Sequence, residues 1–258
     1  MLGVPKPFHR VVRQLIDSSY ANGGNGRYVK DVWYAADGVH YVRTFLLLQK
    51  DFMNLLDYIE PADTNESCYS HRIHELLLRT CVEVEANCKA ILVENGYSKK
   101  AAKDLNMTDY RLVQHSHRLS EYKVRVPSWR GNNSVRHPFD AWSHSPPKQL
   151  SWYADYNATK HDRHSEFSRA TFGALVDALC GLAALMYGQF LNEDFGPQNY
   201  LTTESPWGSG DCVAGGFFWI YPPPDWPQSE RYEFDWQTLS HELDRIQNFD
   251  FDSKPSTW

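Results

Sequence analysis

The run FGALVDALCGLAALMYGQFL, Phe172 to Leu191, constrains the fold more than any other stretch, because so apolar a segment must be hidden in lipid or at the centre of a core. It just reaches the roughly 20 residues that a bilayer span requires. It also carries Asp177, and its flanks lack a basic anchor. Gly173, Gly181, Gly188 and several alanines permit close helix contact, which the central helix of a bundle needs. The expectation is a buried core helix over about 166–191 and no membrane partner. The N-terminal MLGVPKPFHRVVRQL has no unbroken apolar run behind a basic start, so it does not read as a secretory signal. Five cysteines, odd in number and without a CxxC pair, argue against a disulfide framework and a cysteine zinc site. A cytoplasmic location follows as the expectation.

Other segments read as helices that would pack on this one. In VRTFLLLQKDFMNLLDYIEP, apolar residues recur at Phe45, Leu48, Phe52, Leu55, Leu56 and Ile59, with Pro61 helping to stop the helix. From about Ser70 to Glu94, Ile73, Leu76, Leu77, Cys81, Val84, Cys88 and Ile91 form a continuous stripe, and Asn95-Gly96 supplies a stop. Glu75, Arg79 and Glu83, spaced by four on the other side, predict an ion-pair ladder. If that face is covered, Arg79 becomes a candidate phosphate-binding or structural cation.

Between these helices and the apolar run, SEYKVRVPSW alternates Tyr122, Val124 and Val126 with Lys123 and Arg125. RGNNS follows with turn chemistry, predicting a β-hairpin with a basic polar face. Ser151 is placed to cap the next helix. GGFFWIYPPPDWPQSERYEFDW has strand-like composition broken by Pro222 to Pro224, and a short helix is expected near Gln237 to Gln247. The fold class read from these patterns is mainly α, with a β-hairpin insertion and an aromatic, partly β C-terminal extension. The organisation is a single domain over 1–258, with a helical core at 42–105 and 150–191, an insertion at 106–149 and the extension at 192–258.

The formal net charge of -6 argues against a generic nucleic-acid binder, but the charge is unevenly spread. From Lys99 to Arg130, eight Lys and Arg face three acids; from Glu193 onward, twelve acids face three bases. Two readings stay open: solvated surface, or a basic central face with an acidic tail that shields it or binds a protein partner. The close pairs His71/His74, His115/His117 and His161/His164 invite a zinc reading. HRIHE is not HExxH, however, and no metal or other cofactor is expected. Ser205 and Ser209 in SPWGSG do not make a GxSxG hydrolase elbow, and GGNG is no complete phosphate-binding fingerprint.

Chemistry concentrates in SWYADYNATKHDR, Ser151 to Arg163. Helical spacing places Tyr153, Asn157, Lys160, His161 and His164 on one broad face, with Trp152 and Tyr156 available as core anchors. An amide, an ammonium and an imidazole together can hold a phosphodiester and move a proton near neutral pH.

The pattern W-x(3)-YN-x(2)-KH-x-R is carried by Trp152, Tyr156, Asn157, Lys160, His161 and Arg163. Preceded by a long helix with HELLLRTCVEVEANCK, it resembles bacterial proteins of the HEPN superfamily (higher eukaryotes and prokaryotes nucleotide-binding). The resemblance covers about residues 70–190, the hairpin region being an insertion. It implies a helical bundle, a homodimer, RNA as ligand, metal-independent endoribonuclease activity, and a place in bacterial stress or phage defence. The motif it resembles is R-N-x(3)-H, in which the arginine holds the scissile phosphate and the histidine acts in acid/base catalysis. Here Asn157 and His161 match, while the arginine position is Tyr156. The missing cation would come from Lys160, Arg163 or Arg79, with Lys123 and Arg125 extending the RNA-binding surface. The other reading is a catalytically inactive binding or scaffolding bundle in which Asn157, Lys160, His161 and Arg163 tie helices together.

Overall fold

The structure is a computed structural model and describes residues 3–22, 24–193, 195, 211–213 and 215–255. Ser205 and Ser209 lie outside the described residues. The protein is mainly α, built around eight α-helices among the described residues: α1 Gly38–Leu56, α2 His71–Glu94, α3 Met107–Tyr110, α4 Gln114–His117, α5 Ser151–His161, α6 Arg163–Glu166, α7 Phe172–Phe190 and α8 Trp236–Leu239.

Helix α7 is the expected apolar helix, and every residue in it except Gly173 and Asp177 is buried. It starts at Phe172 rather than near 166, because Thr171 accepts the Ala174 amide at 3.2 Å and caps it there. Helices α1, α2 and α5 pack on it, which is why a helix apolar on all sides suits this position. Its glycines set how close the neighbours come. A Cβ on Gly181 would lie 3.3 Å from the Trp152 ring and 3.4 Å from Phe139, and one on Gly188 only 3.0 Å from His117.

Helix α2 matches the sequence pattern closely. The Ser70 side chain accepts from the Ile73 amide, and the stripe from Ile73 to Ile91 is buried. The ladder on its other side does not form as expected. Arg79 reaches across to Asp51 on α1 at 2.6 Å, while Glu75 pairs with Arg72 at 3.1 Å. Neighbouring helices place a second carboxylate nearer to Arg79 than the one a turn away.

The hairpin exists, as β1 Lys123–Arg125 against β2 Val135–Arg136, antiparallel with Val124 opposite Arg136. Its other edge is taken by the C-terminal extension. β4 Trp219–Tyr221 pairs with β1, placing Val124 opposite Ile220, and β3 Asp211–Cys212 pairs with β4, so the sheet order is β2-β1-β4-β3. Val124 and Ile220 turn to the core while Lys123 and Arg125 face solvent. The 106–149 segment is more than a hairpin. It also carries α3 and α4 and contributes Tyr110, Leu112, Val113, Leu119, Phe139 and Trp142 to the core.

Two other expectations are corrected. Ser151 is not a cap but the first helical residue of α5; the extended Leu150 occupies the cap position and offers no side-chain bond. The helix expected over 237–247 is only α8, four residues long. Beyond it, Glu242 and Asp244 pair with Lys6, and Arg245 pairs with Asp31 at 2.8 Å. Leu243 is 97% exposed, so residues 240–247 have no apolar stripe to bury and no reason to stay helical.

The N-terminal segment is threaded between this extension and α7. The Val12 amide donates to the Gly188 carbonyl at 2.8 Å. Tyr232 accepts from the Phe8 amide at 3.0 Å and donates to the Val11 carbonyl at 2.7 Å. Arg10, wholly buried, donates to Glu94 at 2.7 Å, Gln189 at 3.0 Å and the Ala36 carbonyl, and stacks on Tyr41. A buried guanidinium is tolerable only when its donors are matched in this way.

Candidate functional site

Helix α5 lies against α2 and α7, and its inward side is aromatic. Trp152 is 2% exposed with its Nε1 donating to the Pro138 carbonyl at 2.8 Å, and Tyr156 is 0% exposed. Tyr153 is also buried, donating its hydroxyl to Glu85 on α2 at 2.9 Å. Burial and the Glu85 charge push both phenols well above their ordinary range. Lys160, one turn on from Tyr156, folds back so that Nζ donates to the Tyr156 oxygen at 2.9 Å and sits 5.0 Å from the ring centre. The cation beside this position is therefore a lysine held by the residue that stands where an arginine was expected.

The outward side carries the rest of the motif. Asn157 is half-buried, and Lys160, His161, Arg163 and His164 are exposed. The helix does not continue through them. It stops at His161, Asp162 leaves helical geometry (φ -137°, ψ 73°), and its side chain accepts the Ser165 amide at 3.1 Å to start α6. Arg163 and His164 thus belong to a second short helix, and the single face expected to run from Tyr153 to His164 is broken. Arg169 braces the junction by bridging Asp155 and Glu166 at 2.8 and 3.2 Å.

One residue near this segment was not singled out in the sequence, Glu85, which accepts from Tyr153, while His74 was read there only as half of a histidine pair. His74 is buried on α2 and stacks edge-on to Phe167 at 5.6 Å. Burial pushes its imidazole below the ordinary value, with Arg163 nearby acting in the same direction. A signal was available, since His74, Cys81, Glu85 and Cys88 fall at helical spacing within the buried side of α2, where a charged residue demands partners.

The remaining cations stand apart. Arg79 is on the side of α2 that faces α1, in a cavity of about 270 Å³ with Asp51, Leu55 and Tyr58, held by its ion pair to Asp51. Lys123 and Arg125 stand on the sheet, on the exposed side of β1. The structure therefore brings together Tyr156 and Lys160, with His161 and Arg163 exposed and Asn157 half-buried in the same stretch of chain. Among the described residues, no group of three or more His, Cys, Asp or Glu side chains could hold a metal ion. Comparison with family models, curated proteins and solved structures returned no match to this chain.

Proposed function

We propose that this is a HEPN-like helical protein that acts on RNA as a metal-independent endoribonuclease, with its site at the α5–α6 junction. The observation that carries the reading is the exposed His161, next in sequence to a lysine held against the Tyr156 phenol, with Arg163 one residue past the break. In this reading a ribose 2′-hydroxyl attacks the neighbouring phosphorus. His161 takes the hydroxyl proton or protonates the leaving 5′-oxygen, and the products are a 2′,3′-cyclic phosphate and a 5′-hydroxyl. Lys160 and Arg163 face the phosphate oxygens as negative charge builds, Asn157 orients them, and a second copy of the chain completes the cleft. Lys123, Arg125 and Arg79 are secondary contacts for the RNA backbone.

A second reading is favoured by a different observation. Tyr153 and Tyr156 are buried and tied to Glu85 and Lys160, as a bundle kept for binding or scaffolding would have them. Incubating wild type and His161→Ala with mixed RNA in EDTA separates the two. Cleavage by wild type that the substitution abolishes is the expected result; equal silence from both proteins sinks the ribonuclease.

A further inference from the structure

Helices α1 and α2 meet along a seam that holds two cavities end to end. One, of about 270 Å³, lies among Leu55, Tyr58, Arg72 and Leu76; the other, of about 240 Å³, lies among Leu48, Leu78, Val82 and Glu83. Arg79 lines both, so the two form one groove. Its apolar lining is left open: Tyr58 is 88% exposed and Val82 50%. Four charges follow the α2 side of the groove in the order Arg72, Glu75, Arg79, Glu83, and at 3.6 residues per turn they share about an 80° arc of the helix. Their own chain satisfies them loosely. Arg72 and Glu75 pair with each other at an exposed site, where a pair contributes little, Arg79 uses one nitrogen on Asp51, and Glu83 makes no ion pair among the described residues. Each guanidinium keeps further N–H donors for another carboxylate.

A groove of this kind is covered by an apolar surface flanked by the reverse series of charges, and this chain carries one. Read from its other end, plus-minus-plus-minus becomes minus-plus-minus-plus. An antiparallel copy of α2 therefore sets Arg72 opposite Glu83 of the partner subunit and Glu75 opposite the partner's Arg79, whereas a parallel copy in register sets like charges together. Contacts across a two-fold axis are reciprocal, so each pair occurs twice about an axis near Leu78. The same rotation lays the exposed Tyr58 ring of each protomer over the cavity that Leu48, Leu78 and Val82 line in the other. We infer that the α1–α2 groove is the docking surface for a second copy of this chain, seated antiparallel through the Arg72–Glu83 and Glu75–Arg79 pairs, with Tyr58 as the apolar anchor. Nothing in this docking depends on α5 or on RNA.

Sedimentation equilibrium of the full chain, in buffer without RNA, tests the docking. Wild type dimerises reversibly, and more weakly as salt rises. Glu75→Arg alone sets arginine against arginine, and Arg79→Glu alone sets carboxylate against carboxylate, so each variant self-associates at least about tenfold more weakly. Mixed in equal amounts, the two recover a dimer, because both cross-pairs are then of opposite charge; an effect confined to one chain cannot produce that recovery. Tyr58→Ala, at a position too exposed to matter to the fold, weakens association about tenfold.

A wild-type chain that stays monomeric at every concentration at which it is soluble, a dimer indifferent to the single substitutions, or a mixture no more associated than its components overturns the docking. The RNA incubation reads the other proposal separately. A monomer that cleaves RNA sinks the interface alone, and a dimer that leaves RNA intact sinks the ribonuclease alone.

Discussion

A buried imidazole and a partly buried carboxylate on or beside α7 pull stability in opposite directions as pH changes. His117 is wholly buried, with Nε2 facing the Arg10 carbonyl at 2.9 Å, so the neutral ring carries its proton there. Burial pushes the imidazole down to about 3. Its folded value lies below the ordinary 6.5, so the stability it contributes is complete above that value and is lost as pH falls toward about 3, at up to about 1.4 kcal/mol per pH unit. Asp177 is the reverse case. Burial raises it to about 6 against an ordinary 3.8, with Arg136 at 3.3 Å opposing the rise, so its contribution is present below 3.8 and lost as pH climbs through about 6. Urea unfolding between pH 4 and 7 checks both signs. His117→Asn should flatten the acid limb, and Asp177→Asn should gain on wild type as pH rises; curves parallel to wild type for either variant would contradict its assignment.

At the scale of elements, the cap residues decide where helices begin, and they also mark how far the sequence could be read. Ser70 and Thr171 each accept a first-turn amide, from Ile73 and Ala174, both at 3.2 Å. Replacing either by alanine should cost about 1 kcal/mol. Ser151 makes no such bond, so Ser151→Ala should stay within about 0.5 kcal/mol of wild type. Chemical denaturation of the three variants measures this, and a Ser151→Ala loss equal to that of Thr171→Ala would contradict the assignment. Only Ser151 was read as a cap in the sequence, and of the three it is the one that makes no capping bond. Which residue is the last non-helical one depends on how the chain arrives, and the 138–150 loop delivers it extended at Leu150. For the same reason α2, whose stripe and both ends are local, was legible almost to the residue. The Asp162 break was not, because the Asp162 to Ser165 bond competes with a helix that spacing alone would continue. In the candidate site, the residue types of 156–163 were visible, but Glu85 and the Arg79 to Asp51 pairing depend on which side of α2 meets which neighbour.

At the scale of the molecule, the largest gap between sequence and structure is the joining of the two ends of the chain. Nothing local in residues 4–16 announces that Val4 and Leu15 will bridge to Tyr232 and Phe8 to Gln247. Nor does the hairpin announce that its free edge will be taken by β4. The information lies in pairings across more than 200 residues, such as the 221 between Val11 and Tyr232, which no window of periodicity can see. One hydroxyl tests how much this closure contributes. Tyr232→Phe keeps the ring but removes the bonds to Phe8 and Val11, and should cost about 1–3 kcal/mol. Hydrogen exchange should show the Phe8 amide losing protection well beyond amides in α2 and α7; uniform loss across all three would mean that the closure is not a separate unit.

The threaded N-terminal segment also dictates an order of events in the cell. Val11 and Val12, wholly buried in the finished fold, leave the ribosome long before Tyr232 does. At ordinary rates of synthesis the interval is about 10–45 s. During that time Val11 and Val12 wait without the later-made residues that cover them.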